Sequence, residues 1–200
     1  MALIRTAAPA SLAEQMLQSV CDHLRVEADL DASPMVAPAD LGLIRSFTEA
    51  AVDLLDGAGG MLRRALLAQT WQAKFDFFPR CIELVLPPIQ SVTSIQYLTD
   101  GGDTATLLSS AYRVTGLGTW RTEIAPVPGT SWPTTQGVRD AVTVTFVAGK
   151  TSPDELPPAI LQAIRLMVAH WYAYREAAGD TLSEIPFGAK TLLAPYKVFA

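Results

Sequence analysis

The chain has 200 residues, half of them hydrophobic and 18% charged, and its 20 acidic and 15 basic side chains leave a net charge of −5. That length and apolar content suffice for one domain, or for one domain with a sizeable insertion, and exclude a disordered chain. The acidic balance argues against a protein whose main task is to grip phosphates. Two cysteines, Cys21 and Cys81, are too few for a disulfide framework or a four-thiolate zinc site. Met1–Ala10 holds one Arg and no long apolar core, and no run of about 18 apolar residues follows. A signal peptide and a membrane span are therefore not expected; the expectation is a reduced chain made in a cytoplasm.

Ser11-Leu12-Ala13-Glu14 has the capping-box pattern, a hydroxyl followed three residues later by a carboxylate. It predicts a helix over 11–26, with Leu12, Met16, Val20 and Leu24 as its apolar stripe. Residues 27–40 carry three Asp, one Glu and two Pro and read as an acidic loop. Asp40 then starts a second helix whose predicted inner face is Leu41, Ile44, Phe47, Ala51, Leu54 and Leu55, stopped by Gly57, Gly59 and Gly60.

The periodicity then changes from helical to alternating. Trp71, Ala73, Phe75 and Phe77 predict a strand, as do Ile82, Leu84 and Leu86 before Pro87-Pro88. Further strands are expected at 92–98, 112–114, 120–124 and around Val142, Val144 and Phe146. Asp100-Gly101-Gly102-Asp103 is a turn, and 126–137 is a loop rich in Pro, Gly and Thr. A last helix is expected from an N-cap at Asp154, through Pro157-Pro158, to about Ala178, with Ile160, Ile164, Met167, Val168 and Trp171 on its apolar face; Gly179-Asp180 ends it.

The expected fold class is α+β: a helical bundle of two N-terminal helices plus a long C-terminal helix, an antiparallel β insertion and an extended C-terminal tail. The expected segments are a helical part at 1–67, the β insertion at 68–149, the long helix at 150–180 and a docking tail at 181–200. The tail ends Tyr196-Lys197-Val198-Phe199 and is unusually apolar for a terminus. From the residues alone it either folds back on its own core or docks on another chain.

Catalytic signals are sparse. His23 lies near a helix end beside Asp22, and His170 sits between aromatics in Val168-Ala169-His170-Trp171-Tyr172. No zinc-binding helix motif, nucleophile elbow or phosphate-binding loop occurs. A Cys81–His170 nucleophilic pair lacks the sequence context such pairs carry. Gly57-Ala58-Gly59-Gly60 follows no strand, which argues against a phosphate cradle. Arg63, Arg64 and Arg121 are too few for a nucleic-acid patch. No catalytic residue, cofactor or metal ligand is assigned.

The motifs together carry a resemblance. They are Ser11-Leu12-Ala13-Glu14 leading to His23-Leu24-Arg25-Val26, Leu66-Leu67-Ala68-Gln69-Thr70-Trp71, Leu86-Pro87-Pro88-Ile89-Gln90-Ser91-Val92, and Tyr112-Arg113-Val114. Ser131-Trp132-Pro133, residues 141–149, Leu156-Pro157-Pro158-Ala159-Ile160, His170-Trp171-Tyr172, Ile185-Pro186-Phe187-Gly188 and Leu193-Ala194-Pro195-Tyr196 continue the series. In this order the chain resembles the head–tail connector (adaptor) family of long-tailed phages, including the adaptor of gene-transfer-agent particles. It departs from the family in the two prolines of 28–40 and in the longer glycine-rich link at 57–64.

The resemblance implies a structural, non-enzymatic ring, with twelve copies beneath a dodecameric portal, in the neck of a phage or phage-like particle assembled in a bacterial cytoplasm. It implies contacts with copies of the same chain, with the portal, with a stopper or tail-completion protein and, transiently, with double-stranded DNA in the channel. The expected portal-docking residues are Phe187, Leu192, Leu193, Pro195, Tyr196, Val198 and Phe199. Glu49, Asp53 and Asp56 are offered as channel-lining acids, with Glu27, Asp29 and Asp31 as further candidates. The alternative is a β-sandwich binding module that uses Trp132 in the 126–133 loop; an enzyme comes third.

Overall fold

The computed structural model describes residues 1–30, 38–174 and 185–199. The chain is a mixed α+β protein; among the described residues it has four α-helices and two antiparallel sheets. It divides into two compact units. One comprises Met1–Ala10 and Arg63–Thr151, the other Ser11–Leu62 and Ser152–Phe199.

In the β unit the larger sheet has the order β1-β2-β8-β4-β5 and the smaller one β3-β7-β6. Their strands are β1 (Ala2–Ala7), β2 (Gln69–Phe75), β3 (Ile82–Leu84), β4 (Ile89–Leu98), β5 (Thr104–Thr106), β6 (Tyr112–Thr115), β7 (Thr122–Pro126) and β8 (Val142–Ala148). Period-two burial is clearest in the centre: Trp71 and Ala73 of β2 lie opposite Phe146 and Val144 of β8, all four buried. β4 departs from that period. Register shifts at Ile89/Ser91 and Val92/Ser94 bring Ile89, Val92 and Ile95, three residues apart, opposite Ala148, Phe146 and Val144. Each bulge adds a residue and so resets which side chain faces the core. The smaller sheet buries Ile82, Leu84 and Ile124.

Three expectations are corrected in this unit. Residues 2–7, expected in the helical part, form edge strand β1, paired with β2. The strand through Trp71 stops at Phe75, so Phe77 is exposed in the turn beyond it. Trp120, expected in a strand, lies in the β6–β7 connection and is 72% exposed. That connection is tightly bonded: the single Thr119 hydroxyl proton is within reach of both Gly116 O at 2.7 Å and Arg121 O at 2.9 Å, and Gly118 N–H donates to Ile89 O at 2.8 Å.

In the helical unit α1 (Leu12–Leu24) begins at Ser11, whose Oγ accepts from Glu14 N–H at 3.2 Å. It ends at Arg25 in the left-handed region. α2 (Leu41–Leu55) buries Ile44, Thr48, Ala51 and Leu55 at spacings of four, three and four. Leu54, expected inside, is 41% exposed. Asp40 occupies the N-cap position without capping; its carboxylate accepts from Tyr172 Oη at 2.9 Å. α3 (Pro158–Ala173) starts at Pro158 rather than at Asp154. Asp154 belongs to a preceding 3-10 turn, capped reciprocally by Ser152 and Glu155. Ala178, Gly179 and Asp180, expected at the helix end, lie outside the described residues. α1, α2 and α3 pack against one another, and α4 (Phe187–Leu193) packs on α3.

Candidate interaction surface

Cys81 belongs to the β unit and His170 to the helical unit. Burial pushes the Cys81 thiol up, and the Glu123 and Glu83 carboxylates push it further, the reverse of the depressed pKa that arms a nucleophile. Burial, and then Asp22, likewise raise the Cys21 thiol. His170 lies 5.0 Å from Tyr174, ring centre to ring centre, and His23 is exposed in the last turn of α1. Arg121 is held between Glu83 at 3.0 Å and Glu123 at 2.8 Å. Among the described residues no three His, Cys, Asp or Glu side chains gather as a metal site, and no helix is long and apolar enough to cross a membrane. Trp132 stacks on Phe78 at 4.8 Å with the planes 9° apart, and Phe78 packs edge-on against Tyr97. One face of the indole offered for a ligand is thus covered by its own chain.

The helical unit exposes large apolar side chains. The C-terminal segment is not an extended tail. After Ile185-Pro186 it forms α4, where Thr191 Oγ1 donates to Phe187 O at 3.0 Å. Ala189 and Leu193, four residues apart, turn inward and are buried. Gly188 leaves room on the side of Leu166, where an added Cβ would meet the Leu166 side chain at 3.8 Å. A 3-10 turn (Ala194–Tyr196) carrying Pro195 follows, and Val198 N–H donates to Leu62 O at 3.0 Å. Lys197 Nζ lies 5.6 Å from the centre of the Phe199 ring.

The seven residues expected to dock thus divide. Leu193 is buried; Leu192, Tyr196 and Val198 are half-buried; Pro195 is exposed; Phe187 and Phe199 are 85% and 84% exposed. Two full phenylalanine rings held in water on an ordered segment forgo about 1.5–3 kcal/mol of burial each.

On α2 the outer face combines both kinds of group. Leu43 and Leu54 are exposed, as are Ser46, Glu49, Ala50 and Asp53. Asp56, the third acid expected in the channel, is half-buried at the C-cap of α2. Glu27 and Asp29 are exposed, and Asp31 lies outside the described residues. The exposed Leu43 and Leu54 were not anticipated from the sequence, because helical period alone does not say how wide the buried stripe is.

No family model matches the chain, and no curated protein does. Solved structures do match across its whole length. A chain in the virion of a native gene transfer agent (GTA) particle superposes with a TM-score of 0.74 at 20% identity. A chain in the neck of an empty GTA particle, computed with C6 symmetry, gives 0.71 at 21%. One in the neck of a native GTA particle, computed with C12 symmetry, gives 0.70 at 20%. Each comparison covers 100% of this chain and 97% of the other. The fold of this protein, both units included, is that of chains found in gene-transfer-agent necks and virions.

Proposed function

We propose that the protein is a structural, non-catalytic component of the neck of a phage-like particle: an adaptor whose copies form a ring between portal and tail. The observation that carries this reading is the whole-chain likeness to chains of gene-transfer-agent necks, one of them computed with C12 symmetry. Twelve copies, a portal above, a stopper or tail-completion protein below and double-stranded DNA in the channel complete the reading. Ring closure needs one heterologous contact repeated around the axis. The net charge of −5 suits a conduit that does not hold phosphates.

Within this reading the end of the chain meets the portal. Pro195, Tyr196, Val198 and Phe199 form a short, proline-fixed apolar segment, so docking costs little additional ordering entropy. Deleting residues 195–200 is expected to leave most of the fold in place and to abolish capture by portal rings in a pull-down; normal capture refutes the docking role. The wider reading is tested by gold-labelling an affinity-tagged copy in purified particles. Label at the neck supports it, and tagged protein absent from particles sinks it.

A further inference from the structure

The two edges of the larger sheet are finished differently. On the β5 side little backbone is left open. β5 covers Gln96–Leu98, and the loop N–H groups of Leu107 and Gly118 donate to Ile95 O and Ile89 O, both at 2.8 Å. β5 itself has three residues, and so short an outer strand offers little to pair with.

The opposite edge is β1, six residues long, or about 20 Å from end to end. Its pairing with β2 is regular from Ala2 to Arg5, opposite Lys74 to Trp71, and the register shift falls between Arg5 and Ala7, at its end. Successive residues of a strand turn their N–H and C=O groups to alternate sides, so half of this backbone faces away from β2. Among the described residues no loop backbone bonds to Ala2, Leu3, Ile4, Thr6 or Ala7. The side chains that usually protect an edge are sparse: β1 holds no Lys, no Pro and no acid. It also buries almost nothing. Leu3 is half-buried and the rest are exposed, Ile4 at 45%. Leu3 lies opposite Ala73 and Ile4 opposite Gln72, so β1 shows an apolar side chain on each face of the sheet. Such a strand adds little to the core of its own unit; it provides a straight backbone edge.

We infer that β1 receives a further strand in the assembled particle: an extended segment of a different component, added beside Ala2–Arg5 with apolar side chains alongside Leu3 and Ile4. A row of unpaired N–H and C=O groups is matched by another extended backbone. A second copy of this chain fits less well. Pairing of β1 with β1 relates two copies by a two-fold axis, which closes a dimer and does not propagate around a ring. Pairing of β1 with β5 of the next copy sets six residues against three. One added strand also buries far less than the ~1,000 Å² of a free-standing complex. The segment is therefore one delivered by a neighbour already held elsewhere in the particle, where its effective concentration is high.

The inference rests on the neck reading and is tested apart from it, by hydrogen exchange read with mass spectrometry on the free chain and on purified particles. The amides of residues 2–7 are expected to exchange at least about a hundredfold more slowly in particles than in the free chain, while those of β8, internal in both, change little. Benzoylphenylalanine in place of Ile4, activated in particles, should give an adduct of this chain with one other particle protein. Ile4→Lys should leave the urea midpoint unchanged and lower incorporation into particles about fivefold, because an edge charge opposes strand addition; Ile4→Val should alter neither. Unslowed exchange, no adduct, or normal incorporation of Ile4→Lys, in particles that contain the protein, overturns the strand addition and leaves the neck reading standing. Slow exchange already present in the concentrated free chain, or an adduct of two copies, makes the occupant a second copy and overturns the inference as well. Protein absent from particles in the gold-labelling experiment sinks the neck reading itself, and this inference with it.

Discussion

Leu193→Ala separates the two roles that the C-terminal segment has to combine. Leu193 is 2% exposed, on a helix that packs against α3. Removing its three outer carbons loses their transfer energy and leaves a partly relaxed cavity, a combination that costs about 2–5 kcal/mol in well-packed cores. α4 has only seven residues, so it can settle into the gap, and the lower part of that range, about 2–3 kcal/mol, is expected. Phe199→Ala is the control: at 84% exposure it is expected to change stability by less than about 0.5 kcal/mol while weakening portal capture. The assay is urea denaturation followed by far-UV circular dichroism at the helical signal, with the midpoint and slope fitted separately because the chain has two units. An unchanged midpoint for Leu193→Ala refutes the packed position of α4 and returns the segment to the extended tail expected from the sequence.

Gly149→Ala is expected to destabilise the β unit by more than about 2 kcal/mol in the same assay. Gly149 has φ +106° and an added Cβ would overlap the Leu67 carbonyl. Ser11→Ala removes the oxygen that accepts from Glu14 N–H and is expected to cost about 1 kcal/mol. Both thiols are raised, each mainly by burial. Below the ordinary thiol range, about pH 8.5, folded and unfolded chains both keep these protons and stability does not vary with them. As pH rises above it the unfolded thiols ionise first, so folding stability falls until the raised folded values are passed. A urea series from pH 7 to 10 checks this, and Cys21→Ala Cys81→Ala should flatten the fall. In the folded protein iodoacetamide should label half-buried Cys81 slowly and buried Cys21 only on unfolding.

Much of the architecture is legible in the residue pattern. Ser11 and the Leu12–Met16–Val20 stripe announce α1; alternation announces β2 and β8 as strands with one buried face. Those signals are local, because an apolar period reports which side of an element must leave water. Other elements have no such signal. β1 reads Ala-Leu-Ile-Arg-Thr-Ala, with no buried alternation, and exists because the edge of β2 supplies its hydrogen bonds. Ile89, Val92 and Ile95 share a face only through two bulges in the ladder. The candidate surface was half legible: the apolar character of 185–199 is plain, whereas its division into buried Leu193 and exposed Phe187 depends on α3 lying alongside.

The order of elements, the change from helical to strand periodicity at about residue 68 and the unusual apolar end were determined by the chain's own residues, since each follows from covalent spacing and transfer out of water. Which apolar side chains remain uncovered was decided only in three dimensions. Leu43 and Leu54 are the same residue as Leu55 and Leu193, and Phe187 and Phe199 are likewise apolar, yet Leu55 and Leu193 are buried in the same unit while the other four are exposed. What separates them is whether a neighbouring helix arrives on their side, and that is set by long-range packing rather than by any residue's local sequence.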